Sequence, residues 1–149
     1  MSPDDLAAVD RSWAQLRRRR AELVEHLETS FSAAGSPEVA APRARWLVEA
    51  VAELVGLLTA PSRLGGRARR LAETWPVAGT APCFGVEGQA WMRAARDVGP
   101  GWTHRTEDAW RHAWLLLSDV LAEEALSPFA THPATEGRPA VSPGTALAD

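Results

Sequence analysis

Lysine, isoleucine, asparagine and tyrosine are absent from this chain of 149 residues, and cysteine occurs once. Every one of its 16 basic side chains is therefore an arginine. The skew is the mark of codon bias in a GC-rich bacterial genome, so the missing tyrosine means less than it would elsewhere. A single cysteine, Cys83, excludes an internal disulfide and any multi-cysteine metal site, and it fits a reducing cytoplasm. Cys83 has no His or acid beside it in sequence, which argues against a catalytic thiolate. No apolar run approaches the roughly 20 residues that span a bilayer. The opening Ser2-Pro3-Asp4-Asp5 lacks the positive-then-apolar order of a signal segment. A basic surplus is missing too: the net charge of -3 argues against nucleic acid as the main partner. There is no Gly-rich phosphate loop, since Gly65-Gly66 lacks the required context, and no local Ser-His-Asp motif. These absences together lead to the expectation of a soluble, cytoplasmic protein.

What is present is helical. Apolar residues at 46% and charged residues at 23% are ordinary for a globular chain, and the length suits one domain. Alternating strand patterns are missing, whereas apolar residues recur at helical spacing throughout. Leu6, Val9, Trp13 and Leu16 start the pattern behind Pro3 and two acids, which favour a helix N-terminus. Leu23, Leu27 and Phe31 continue it after a bend in the run Arg17–Arg20. That run is read as a solvated charge cluster, with acidic lipid or an acidic protein patch as the functional alternative. Residues 33–37 end this unit with breaker chemistry. A second helix is predicted over Pro42–Leu58 and a shorter one from Pro61 to Trp75. Pro76–Pro82 reads as loop. A further helix follows from Phe84 to Gly99-Pro100-Gly101, and a last one over Thr106–Leu126, with Trp110, Ala113, Trp114, Leu117 and Leu121 facing inward. The fold class is thus all-α: one helical domain over residues 1–127, then a Pro/Gly-rich tail over 128–149 whose composition predicts disorder.

This order of helices resembles a bacterial globin. The matching pattern is the small-residue-rich FGVEGQAWM, a loop reaching Trp102, and the acidic helix start and spacing of TEDAWRHAWLLLSDVL. Upstream, LLTAPSRLGGRARRLA resembles the stretch that leads into the haem-binding helix. The resemblance covers about residues 6–126. It implies a globin-like fold, and Trp13, Trp102, Trp110 and Trp114 fall where such proteins often carry aromatics. It also implies a proximal histidine at the end of the helix before Pro76, and the counterpart here is at or next to Trp75. An indole nitrogen only donates and cannot coordinate iron. His104 and His112 belong to the final loop and helix, His132 to the tail and His26 to the first helical unit. The counterpart of the distal Gln or His is near Arg43, that of the first-helix Tyr near Glu28, and the loop with the haem-contacting Phe looks shortened to Ser36–Pro42. No haem, other cofactor or metal is therefore expected.

The remaining tryptophans, Trp46, Trp75 and Trp91, fall on the three helices that would surround the haem. They either fill the vacated cavity or, with Leu47 and Phe31, line a smaller apolar pocket for another ligand. Trp46 lies beside the core stripe Leu47, Val51, Leu54, Leu58 and could also face solvent. Glu28, His26 and Arg43 are the candidate proton-transfer and anion-binding groups. Adjacent indoles would strip water from Glu28, turning it into a general acid or base, and Arg43 would meet an anionic group at the pocket mouth. The bland alternatives are a surface glutamate and a solvated arginine.

The leading expectation is a haem-free globin-like protein that binds a small apolar or amphipathic molecule. Such a protein could be a cofactor-independent acid/base enzyme for dehydration, isomerisation or cyclisation of a bulky metabolite. The rival classes are a haem-free sensor or protein-interaction module, acting as a homodimer through its two C-terminal helices, and a haem protein with an unconventional ligand. The absorption spectrum of the purified protein separates the last from the rest: no Soret band is expected, and a strong band overturns the reading. Trp75→His with added haem tests whether the fold still accepts the cofactor.

Overall fold

A computed structural model describes residues 1–35, 37–77 and 84–130, without the side chains of Pro61, Phe84 and residues 121–130. Among the described residues six α-helices follow one another: α1 (Pro3–Leu16), α2 (Arg20–Ala34), α3 (Pro37–Val55), α4 (Leu64–Glu73), α5 (Phe84–Val98) and α6 (His104–Ala130). No strand occurs among the described residues. Helix α1 packs on α6, α2 on α3 and α5, and α4 on α6. Buried residues from all six helices form one apolar cluster.

The start of α1 is fixed by a reciprocal cap. Asp5 N–H donates to Ser2 Oγ at 3.1 Å and Ser2 N–H returns a bond to Asp5 Oδ2 at 3.0 Å. The Ser2 amide, with His112 beside it, holds the Asp5 carboxyl below its ordinary value. The bend expected in the arginine run is a single 3-10 turn at Arg17–Arg19. Two of the four arginines hold structure rather than standing free. Arg19 donates to the Val98 carbonyl and pairs with Glu22, and Arg20 pairs with Glu49 across to α3. Arg17 and Arg18 are exposed.

Several boundaries differ from those predicted, and α3 ends at Val55 rather than Leu58, which lies in the turn beyond it. Helix α3 starts at Pro37, five residues before the expected Pro42, and Pro42 lies inside it. The earlier proline supplies a pre-set φ at the first helical position, so the later one need not start the helix. Of the expected loop Ser36–Pro42, the described part, Pro37–Pro42, is accordingly helix. Helix α4 begins with a 3-10 turn at Pro61–Arg63 and ends at Glu73, leaving Trp75 just beyond it. Helix α6 continues past Pro128 to Ala130, so the predicted boundary at 127/128 falls within a helix. Cys83, most of the Pro76–Pro82 loop, the inward positions of Phe84 and Leu121, and the tail from residue 131 lie outside the described residues and side chains.

The predicted stop at Gly99-Pro100-Gly101 is real and has a steric cause. Gly101 has a φ of 68°, and a Cβ on Gly99 would stand 2.6 Å from the Ala95 carbonyl oxygen. Among the described residues no helix is long and apolar enough to cross a membrane.

Two aromatic groups organise the interior. Trp91 lies with its ring centroid 6.0 Å from Trp13 and 5.4 Å from Trp110, joining α1, α5 and α6. Trp110 Nε1–H donates to Ser12 Oγ at 2.8 Å, so its buried polar atom is satisfied by α1. Ser12→Ala would leave that donor dry and unpaired. It is expected to lower unfolding free energy by about 1–3 kcal/mol, read as a shift of the urea midpoint at unchanged slope.

Candidate functional site

The second aromatic group stands at the end of α4. The last carbonyls of any helix lack partners within it. Here Leu71 O accepts from the Thr74 amide at 3.1 Å, from Thr74 Oγ1–H at 2.9 Å and from Trp46 Nε1–H at 3.1 Å. Trp46 is therefore buried in the core, not turned to solvent. Trp75 meets it edge-on, with ring centroids 4.7 Å apart at 84°.

Next to this pair lies a buried ion pair between α3 and α5. Arg43 Nε and Nη2 donate to Glu87 Oε1 at 2.7 and 2.5 Å. Glu87 is 0% exposed and the Arg43 side chain 19%. The guanidinium carbon is 4.3 Å from the Phe31 ring centroid and 5.7 Å from that of Trp75, so both rings lie within reach of a cation–π contact. Glu87 sits in the first turn of α5, where the helix dipole favours a carboxylate. Its second oxygen, Oε2, is buried without a hydrogen-bond partner among the described residues. An arrangement of this kind offers a dry acceptor, able to take a hydrogen bond or a proton, beside a flat apolar wall.

Of the eight residues singled out from sequence, Phe31, Arg43, Trp46 and Trp75 come together here. Trp91 goes elsewhere, to Trp13 and Trp110. Leu47 is buried and borders a void of about 10 Å³ between α3 and α6, which Trp46 and Trp114 also line. His26 is 47% exposed, with its nearest ion-pair partner, Asp97, at 3.9 Å. Glu28 is half-buried. Residues two apart on a helix point in different directions, so His26 and Glu28 cannot serve one site from the same helix.

Glu87 is the residue that sequence reading passed over. A signal existed: in FGVEGQAWM it lies three residues after Phe84 and four before Trp91, on the helical face that Trp91 buries. An acid in a first turn is usually a solvated partner of the dipole, and that habit hid it.

Haem, which the globin resemblance implies, does not fit these residues. A flat macrocycle needs van der Waals room on both faces, about 7 Å between flanking groups. Arg43 and Trp75, which the resemblance would set on the two sides of a haem, are only 5.7 Å apart from guanidinium carbon to ring centroid. The void between α3 and α6 could hold at most one water. His26 and His112 are surface residues with carboxylate neighbours, and His104 is exposed. Comparison with protein-family models, with curated proteins and with solved structures yields no match.

Breaking a buried pair from one side strands a charge, whereas replacing both sides by apolar groups does not. Arg43→Met alone is expected to cost about 3–5 kcal/mol of stability, while R43M combined with Glu87→Met stays within about 1 kcal/mol of the parent. Urea unfolding of the parent, both single variants and the double variant checks the cycle; additive losses would show that the two side chains do not act as a unit.

Proposed function

We propose that this is a haem-free, globin-like protein that binds a small amphipathic molecule at the Phe31–Arg43–Trp75–Glu87 site. The apolar body of the ligand lies against the aromatic wall, and its hydroxyl or amide N–H donates to Glu87 Oε2. The observation that carries this reading is the fully buried carboxylate oxygen that has no partner among the described residues. Native interiors seldom leave such an atom unpaired, because its desolvation goes uncompensated. The order of helices read from the sequence recurs in the fold, with the first unit divided at Arg17–Arg19, and this supports the reading. So does Trp75, which takes the ligand position with a side chain that cannot hold iron.

In the enzymatic form of this reading the bound molecule is a substrate. Glu87 Oε2 is then the atom that receives a proton in a dehydration, isomerisation or cyclisation. Arg43 orients the carboxylate through Oε1, and the indoles exclude water. Glu87 takes over the acid/base role that the sequence suggested for Glu28 and His26.

Benzyl alcohol and toluene share a body and differ in the donor, so they test the role of Oε2. Saturable quenching of tryptophan fluorescence by benzyl alcohol is expected, at least about tenfold tighter than by toluene, since a hydrogen bond to a charged group contributes about 1.5–3 kcal/mol. The preference is expected to vanish in the Arg43→Met, Glu87→Met double variant. Equal affinity for the two probes in the parent chain, or quenching that never saturates, overturns the proposal.

A further inference from the structure

A separate groove runs along the outer face of α5 and α6, with a volume of about 450 Å³. That lies within the range of small-molecule sites. Its apolar surface comes from Met92, Trp114 and Leu115, the last 61% exposed. Gly88 forms part of the floor for a steric reason. A Cβ there would stand 2.7 Å from Trp114 Cδ1 and Cε2, so the bare backbone lets the indole lie flat across α5.

The rim is cationic in a chain whose net charge is negative. Arg93, Arg96 and Arg111 all border the groove, against one carboxylate, Glu107. Glu107 is shared: it lies 2.7 Å from Arg111 and 3.8 Å from Arg96. Arg111 also reaches Asp108 at 3.4 Å. Arg93 is exposed and has no ion-pair partner among the described residues. Three guanidiniums above an indole, a thioether and a leucine combine anion binding with an apolar bed. Guanidiniums suit carboxylate and sulfonate geometry in particular.

We propose that this α5–α6 groove binds an amphipathic organic anion, its apolar part on Trp114, Met92 and Leu115 and its carboxylate or sulfonate among Arg93, Arg96 and Arg111. The site is distinct from the Arg43–Glu87 pair and stands whether or not that pair receives a ligand. It differs in the charge of what it selects. The inner site offers a carboxylate oxygen to a donor, and the groove offers donors to an anion.

Anilinonaphthalene sulfonate, an aromatic anion that fluoresces when desolvated, is a suitable probe. One equivalent is expected to bind saturably, and to bind more weakly as salt is raised. Arg93→Gln with Arg111→Gln should weaken it about tenfold, because an exposed charge contributes up to roughly fivefold. Leu115→Gln, at an exposed position, should also weaken binding. Thermal melts monitored by circular dichroism show whether each variant keeps the parent fold. Decanoate should displace the probe at lower concentration than decanol, and benzyl alcohol should not displace it. Three results would overturn the proposal: decanol competing as well as decanoate, unchanged affinity in the folded double-arginine variant, or unsaturable binding of many probes. Light scattering that finds a homodimer closing this face to the probe would also overturn it, and would favour the interaction-module reading.

Discussion

The Arg43–Glu87 pair sets the terms on which the helices meet. A carboxylate with no exposed surface can be kept in an apolar interior only if a cation and well-directed hydrogen bonds offset its desolvation. The cation must therefore come from outside α5, and it comes from α3 at a fixed height and angle. Phe31 on α2 and Trp75 after α4 lie within cation–π reach of the same guanidinium. Four segments are thereby tied to one planar group. The aromatic faces leave that group little rotational freedom, so the hydrogen bonds to Oε1 are formed without much further loss of side-chain entropy.

Much of this architecture was legible from spacing. The stripe Leu47, Val51, Leu54, Leu58 is buried as its periodicity requires, and Pro3 and the Gly99–Gly101 turn mark real boundaries. Pro42 misled because proline normally starts or breaks a helix, and the competing signal at Pro37 was read only as part of a breaker cluster. The site was half legible. Aromatics on the wall were found because tryptophan is rare and large enough for its position to carry information. Glu87 was not found, because local sequence says which face a residue takes but not whether an arginine 44 positions away will meet it. His26 and Glu28, grouped as neighbours in sequence, project from different sides of α2 because of helical rotation.

The two aromatic groups divide the labour differently. Around Trp110 every element is apolar packing plus one satisfied indole, through Ser12. Trp91, packed against it, keeps a buried Nε1–H with no acceptor among the described residues. That asymmetry is tolerable where volume dominates, since a fully buried indole removes some 150–250 Å² of mostly apolar surface from water. Around Trp46 and Trp75 polar atoms decide the geometry instead. The indole N–H, the Thr74 hydroxyl and the guanidinium each fix an orientation that packing alone would leave open.

Trp46 donating to Leu71 O has a consequence for how the end of α4 is secured. In a protein that holds a metal cofactor, part of the stability of the liganding helix is lent by mass action and rises with free cofactor concentration. Here the partner of the helix end is covalently part of the same chain, so its effective concentration is set by the fold and does not vary with the surroundings. The bonds from Trp46 and Thr74 to Leu71 O therefore hold at any dilution of the protein for as long as the fold itself is intact.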